Sequence, residues 1–258
     1  MTVARAWATA VVLLLGIGWA GARPLDGAKG WASPEPCKVL DCPRYSVIRS
    51  NEGYQVRKYE AGATYAVARM EGAGGFEAST TAGFKELFLY ISGANWSARR
   101  MAMTAPVRTE VVPKEAAAAA VAEGGGLASE RTSSGGPVYE VGFMAPFEEQ
   151  ARAGGPPAPL AWAEPHTKLS ADEPSWCAGV RVFGGFATDE VVLRESAILA
   201  DDLGADDFAV RDVTSFTVLQ YNSPYDTTDR TNEVLFVLPH SACETTEPAS
   251  SSDYSLGR

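Results

Sequence analysis

From Tyr45 to Glu60 the chain alternates apolar and polar positions in two runs, YSVIRS and YQVRKYE, that flank Asn51-Glu52-Gly53. A period of two is that of half-buried strands, and the Asn-x-Gly stretch supplies a short turn between them. ATYAVARMEG, residues 63–72, keeps this period and predicts a third strand. The period then changes. Phe84, Leu87, Phe88 and Ile91 recur every three or four residues with Lys85 and Glu86 between them, which predicts an amphipathic helix ending near Ser92-Gly93. MAMTAPVRTEVV and VYEVGFMAPF are two further strand-like runs.

The second half repeats this order. A strand in CAGVRVFGGFA leads to a helix over residues 189–203, with Thr188 as N-cap and Gly204 as stop, and strands follow in FTVLQYN and NEVLFVLP. Strand, helix, strand, strand therefore occurs twice. Such duplication predicts a pseudo-symmetric α+β domain, a curved antiparallel sheet or barrel carrying two helices.

The flanks read differently. Residues 1–22 carry Arg5, an apolar run and a small-residue Ala20-Gly21-Ala22 exit, the pattern of a cleaved secretory signal peptide rather than a membrane anchor. Residues 23–43 form a Gly/Pro/Ala-rich lead-in, expected to be flexible unless Cys37 is bridged, and the domain proper spans 44–241. A low-complexity loop occupies about 114–136, a proline-rich loop follows at 151–165, and the acidic, Ser-rich tail at 242–258 is expected to be disordered.

Charge narrows the partners. The net charge of -10 becomes -11 without the leader, which holds one arginine and no acid, so phosphate backbones are repelled and nucleic acid is not expected as a partner. No segment beyond the leader is apolar enough to span a bilayer, and a monomer is expected. Four cysteines in a chain bound for an oxidising compartment predict two disulfides. Of the three connectivities, Cys37 with Cys42 and Cys177 with Cys243 is favoured, one pair local and the other tying the second half; the sequence alone does not decide. A zinc site would have only His166 and His240 to complete it.

Catalytic machinery is not visible. There is no G-x-S-x-G elbow, Gly124-Gly125-Gly126 lacks the Lys-Ser/Thr of a phosphate loop, and no carboxylate pair stands out from surface charge. Binding chemistry is better supported. On a strand, Met101 and Met103 share a face, either as core under the first helix, which spacing alone favours, or as the pliable wall of an apolar pocket. Arg99 and Arg100 fit a solvated pair or a carboxylate clamp. Asn95-Trp96-Ser97 is an N-glycosylation sequon in an expected turn.

YQVRKYE, FKELFLYISGAN, MAMTAPV, VGFMAPF with a following PPAP, VFGGFA, and YNSP with RTNEVLFVLP stand in the order and spacing of the SOUL heme-binding protein family. The chain resembles that family from about Tyr45 to Pro239, and its leader and Cys37/Cys42 lead-in resemble the secreted or endomembrane plant branch. The resemblance implies a distorted antiparallel β-barrel of two pseudo-symmetric βαββ-type repeats with two flanking helices. It also implies a groove near the first helix that binds heme or a related tetrapyrrole as a small-molecule ligand, the protein acting as carrier, buffer or scavenger. Positions matching the family's groove are Thr81, Phe84, Phe88 and Leu89, with Met101 and Met103 beside them and Asp226 where the family carries a lysine. Lys58 stands where histidine-ligating members place their histidine. The implied location is the secretory pathway, either extracellular (apoplast) or in a vacuolar or endomembrane lumen. Two other readings stay open: an enzyme acting on a tetrapyrrole or small hydrophobic metabolite, and an interaction module whose pocket has closed.

Overall fold

A computed structural model describes residues 34–71, 74–113, 136–160, 167–170, 174–210 and 212–244. Leader, low-complexity loop and distal tail lie outside these residues. The described chain is α+β. Nine strands, β1 (Tyr45–Ser50), β2 (Gln55–Tyr59), β3 (Tyr65–Glu71), β4 (Val107–Val112), β5 (Val138–Met144), β6 (Thr167–Leu169), β7 (Trp176–Gly184), β8 (Phe216–Gln220) and β9 (Thr231–Leu238), form one antiparallel sheet. Two long helices, α1 (Gly75–Ile91) and α3 (Asp189–Ala205), and one short one, α2 (Phe147–Gln150), accompany it.

The strand order β1-β2-β7-β9-β8-β4-β5-β3-β6 reads as a two-fold repeat about the β8–β4 contact. β3-α1-β4-β5 lies on one side with spatial order 4-5-3, and β7-α3-β8-β9 lies on the other with order 8-9-7. The flanking strands are exchanged, since β2 pairs with β7 and β6 with β3. The same symmetry aligns Glu140-Val-Gly-Phe-Met-Ala-Pro146 with Glu233-Val-Leu-Phe-Val-Leu-Pro239.

Residues 60–64 join β2, second from one end of the sheet, to β3, second from the other. A five-residue connection reaches at most about 20 Å, so the sheet must curl strongly. It does not close: β1 and β6 remain edges, and among the described residues no pairing joins them. The expected barrel is therefore an open, curled sheet.

Period-two patterning gives the sheet two different faces. One packs under α1 and α3, burying Val141 and Phe143 against Leu87 and Ile91, and Val234 and Phe236 against Leu199 and Leu203. Two glycines permit the approach: a Cβ at Gly83 of α1 would lie 2.5 Å from Val141 Cγ2, and one at Gly179 of β7 would lie 2.7 Å from Leu203 Cδ1. The other face encloses a polar group. Arg57 donates to both carboxylate oxygens of Glu233, at 2.9 and 3.0 Å, and through Nε to Gln55 at 2.7 Å, while Tyr221 OH donates to Glu233 at 2.9 Å.

Several local expectations change. Residues 101–106 are not a strand: β4 begins only at Val107, and Pro106 has no N–H for a ladder. Gly204 lies inside α3, and the left-handed position falls to Asp207 at φ 61°. β6 and α2 were not anticipated, each being too short to show a period. The lead-in is pinned from residue 34 onward. Cys37 is bridged to Cys42, Leu40 packs against the core, and Asp41 accepts from Ala105 N at 3.0 Å and Phe147 N at 2.9 Å. Cys177 is bridged to Cys243, tying β7 to the 3-10 turn after β9.

Candidate functional site

α1 turns its buried stripe of Phe76, Gly83, Leu87, Tyr90 and Ile91 onto β3 and β5. One helical flank beside that stripe stays apolar. Phe84 is half-buried, meets Phe143 edge-on at 5.3 Å between centroids, and stacks with Phe88 at 6.0 Å and 11°. Phe88 is 49% exposed, so a ring face is offered to whatever lies outside.

Met101 and Met103 run beside the end of this helix. Met101 N donates to Ile91 O at 2.9 Å, and both thioethers, half-buried, pack on the cluster that includes Leu87, Ile91, Val107 and Phe143. They pack on the core under the first helix on one side and are part of the surface on the other.

Thr81 is exposed one turn before Lys85, and Lys85 is an exposed cation three residues before Phe88. The sequence reading assigned Lys85 only as a polar position. Its i,i+3 spacing to Phe88 sets the two side chains on neighbouring parts of one helix surface. Leu89, 53% exposed, lies about 100° around the helix from Phe88 and does not share the Phe84–Phe88 flank. Asp226 stays within the β8–β9 loop, where its carboxylate accepts from Ser223 N at 3.2 Å and its carbonyl from Arg230 Nη1 at 2.6 Å. Arg230, stacked over Phe186 at 4.9 Å, is the loop's own cation, and burial draws its pKa downward. Lys58, in β2, pairs across to Cys177 and Ser46, away from α1.

The arginine pair divides. Arg99 Nη1 donates to buried Glu149 at 2.7 Å, anchoring the exit of α1 to α2, whereas Arg100 is exposed. Asn95, the asparagine of the sequon, is 3% exposed, its amide hydrogen-bonded to the chain itself.

Two clefts lie elsewhere. One of about 390 Å³ is lined by Glu110, Asp212, Thr217, Leu235, Val237 and Pro239. The other, about 160 Å³, sits among Arg44, Tyr59, Tyr65, Phe147 and Trp176. Neither includes the Phe84–Phe88 flank. Among the described residues the larger carries two carboxylates and no cation in its lining, a poor match for an anionic ligand. The α1 flank carries a stacked aromatic pair, with Lys85 exposed on the same helix and the half-buried thioethers of Met101 and Met103 on the cluster against which Phe84 packs. Among the described residues no group of His, Cys, Asp or Glu is arranged to hold a metal ion.

The family model described as SOUL heme-binding protein matches residues 40–237. No curated protein matches the chain in sequence. Among solved structures, the C-terminal domain of EcmrR is similar at TM-score 0.46 and 11% identity, covering 72% of this chain and 98% of that one. A hydrolase encoded by lin2189 from Listeria innocua follows at TM-score 0.42 and 10% identity, with 71% and 90% covered. SAV2435 bound to tetraphenylphosphonium reaches TM-score 0.41 at 10% identity, with 74% and 99% covered.

Proposed function

The chain belongs to the SOUL heme-binding protein family, and on that premise we propose that it binds heme or a related tetrapyrrole on the Phe84–Phe88 flank of α1 without catalysing a reaction. The observation that carries this reading is the stacked pair itself: Phe84 is fixed from below by Phe143, Phe88 stays half-exposed, and Met101 and Met103 pack on the same cluster as Phe84. A flat apolar ring gains most on such a platform, by offset stacking and sulfur–ring contact. Its carboxylates then fall at the rim, where Lys85 and solvent meet them. Binding by faces needs little from a metal. His240 lies in the turn after β9, and no histidine occurs in α1 or the segment that carries Met101 and Met103.

A carrier, buffer or scavenger role in the secretory pathway, extracellular or in an endomembrane lumen, follows from the leader-like residues 1–22 and is supported by the pairing of all four cysteines. The test is a titration of the mature protein with hemin and with a metal-free porphyrin. A saturable Soret shift and porphyrin fluorescence quenching at micromolar ligand are expected, both weakened when Met101 and Met103 are replaced by alanine. No saturable change with either ring would overturn the reading.

A further inference from the structure

Asn95-Trp96-Ser97 has the sequence of a glycan acceptor, but its amide has another task. Nδ2 donates to Tyr90 O at 2.9 Å and to Arg99 O at 2.7 Å, while Oδ1 accepts from Arg99 N at 3.0 Å and Ser97 N at 3.2 Å. A side-chain amide has two N–H donors and two oxygen lone pairs, so its capacity is filled. The backbone around it is equally committed: Asn95 bridges Pro159, Trp96 N donates to Ala158 O at 3.0 Å, and Ala98 N to Asn95 O at 2.9 Å. The side chain thus closes the loop that takes the chain from the end of α1 to Arg99 and Met101.

From this we infer that glycan attachment at Asn95 and the native fold exclude one another: the folded protein carries no sugar there, and a chain modified there cannot complete the exit of α1. Attachment replaces one N–H of Nδ2 with a bulky sugar linkage. The lost donor leaves Tyr90 O or Arg99 O without its partner, and with Asn95 only 3% exposed a sugar on Nδ2 would have to displace the groups packed around it. The sequon is then a folding checkpoint rather than a surface decoration. It stands apart from the ring-binding reading, and either can fail alone.

The experiment expresses the full chain in secreting eukaryotic cells as wild type, Ser97→Ala, Ser97→Thr and Asn95→Asp, with intact mass read before and after N-glycosidase. Ser97 is exposed, and the loop uses only its backbone N–H. Ser97→Ala is therefore expected to abolish the sequon with an unchanged thermal midpoint. Asn95→Asp sets a carboxylate oxygen against two carbonyls and is expected to lower the midpoint. Ser97→Thr, a stronger acceptor, is expected to move glycosylated chains into the retained or aggregated fraction while the soluble folded fraction stays sugar-free. A folded, secreted wild type or Ser97→Thr protein that carries glycan at Asn95 with an unchanged midpoint would overturn the inference.

Discussion

Asp189, the first residue of α3, caps α1: its Oδ1 accepts from Phe76 N at 2.6 Å and its Oδ2 from Glu77 N at 3.3 Å. The two helices of the pseudo-repeat thus meet at their N-termini, and one carboxylate serves both positive helix ends. Gly75 makes this possible, because at φ 79° any Cβ there would sit 2.4 Å from Asp189 Oδ1. α1 has no side-chain cap of its own, since Gly74 stands at that position. Asp189→Ala is expected to cost about 1–2 kcal/mol, the upper range for a lost cap because two donors are orphaned. Urea denaturation checks this, with Asp189→Asn expected to fall between the two.

Arg57 and Glu233 form a two-point ion pair at 1% exposure each. Burying both charges is costly, and the cost is offset only while the pair is complete. Arg57→Met leaves the carboxylate buried and unpaired and is expected to lower stability by about 3–5 kcal/mol. Adding Glu233→Leu is expected to recover much of that loss, though Gln55 and Tyr221 then lose a partner each. A double-mutant cycle in denaturant measures the coupling.

Among the described residues Tyr59 OH is buried with no hydrogen-bond partner by geometry. Burial first, and then the Glu233 charge, push its pKa above the ordinary 10.0, and the same two causes raise that of Tyr221. A phenol whose pKa is raised on folding contributes stability that is complete below about pH 10 and is lost as pH climbs from there toward the folded value. Alkaline unfolding should therefore begin above pH 10 and be steep. Tyr59→Phe removes an unsatisfied hydroxyl and one titrating group. It is expected to be neutral or slightly stabilising at pH 7 and to flatten the alkaline loss, as read by circular dichroism between pH 7 and 12.

What was legible in the sequence follows from how far each signal extends along the chain. Both long helices announce themselves because one face of each is buried, so a period of 3.6 is written along them, and β1, β3 and β7, at 6, 7 and 9 residues, are long enough for a strand pattern to show. β6 has only Thr167–Leu169 and α2 only Phe147–Gln150, too little chain for a period. The duplication was visible as element order, but the exchange of β2 and β6 between repeats is a long-range pairing that no local pattern encodes. At the site, Phe84 and Phe88 could be named from helical spacing, whereas Asn95 could not be told from a surface acceptor. Its role depends on carbonyls four and five residues away in a turn whose geometry, with Ala98 at φ 47°, sequence does not show.

The α1 flank is most sharply tested by variants that touch the ligand and not the fold. Phe88 is half-exposed, so Phe88→Ala should change stability by no more than about 0.5–1 kcal/mol. One lost ring stack is worth about 0.5–1.5 kcal/mol, so affinity for a porphyrin should fall by up to roughly tenfold. Lys85→Glu reverses the bordering charge and should weaken a dicarboxylate porphyrin several-fold while leaving its dimethyl ester unaffected, because only the acid form feels an ammonium at the rim. Fluorescence quenching with both ligands at two salt concentrations separates the two effects: the Lys85 term shrinks with salt and the Phe88 term does not. Equal affinity of all three proteins for both ligands would place the ring elsewhere. A ring that instead lost affinity on changing Leu235 or Val237 would be seated in the cleft with Glu110 and Asp212, and there the ester, relieved of facing two carboxylates, should bind more tightly than the acid.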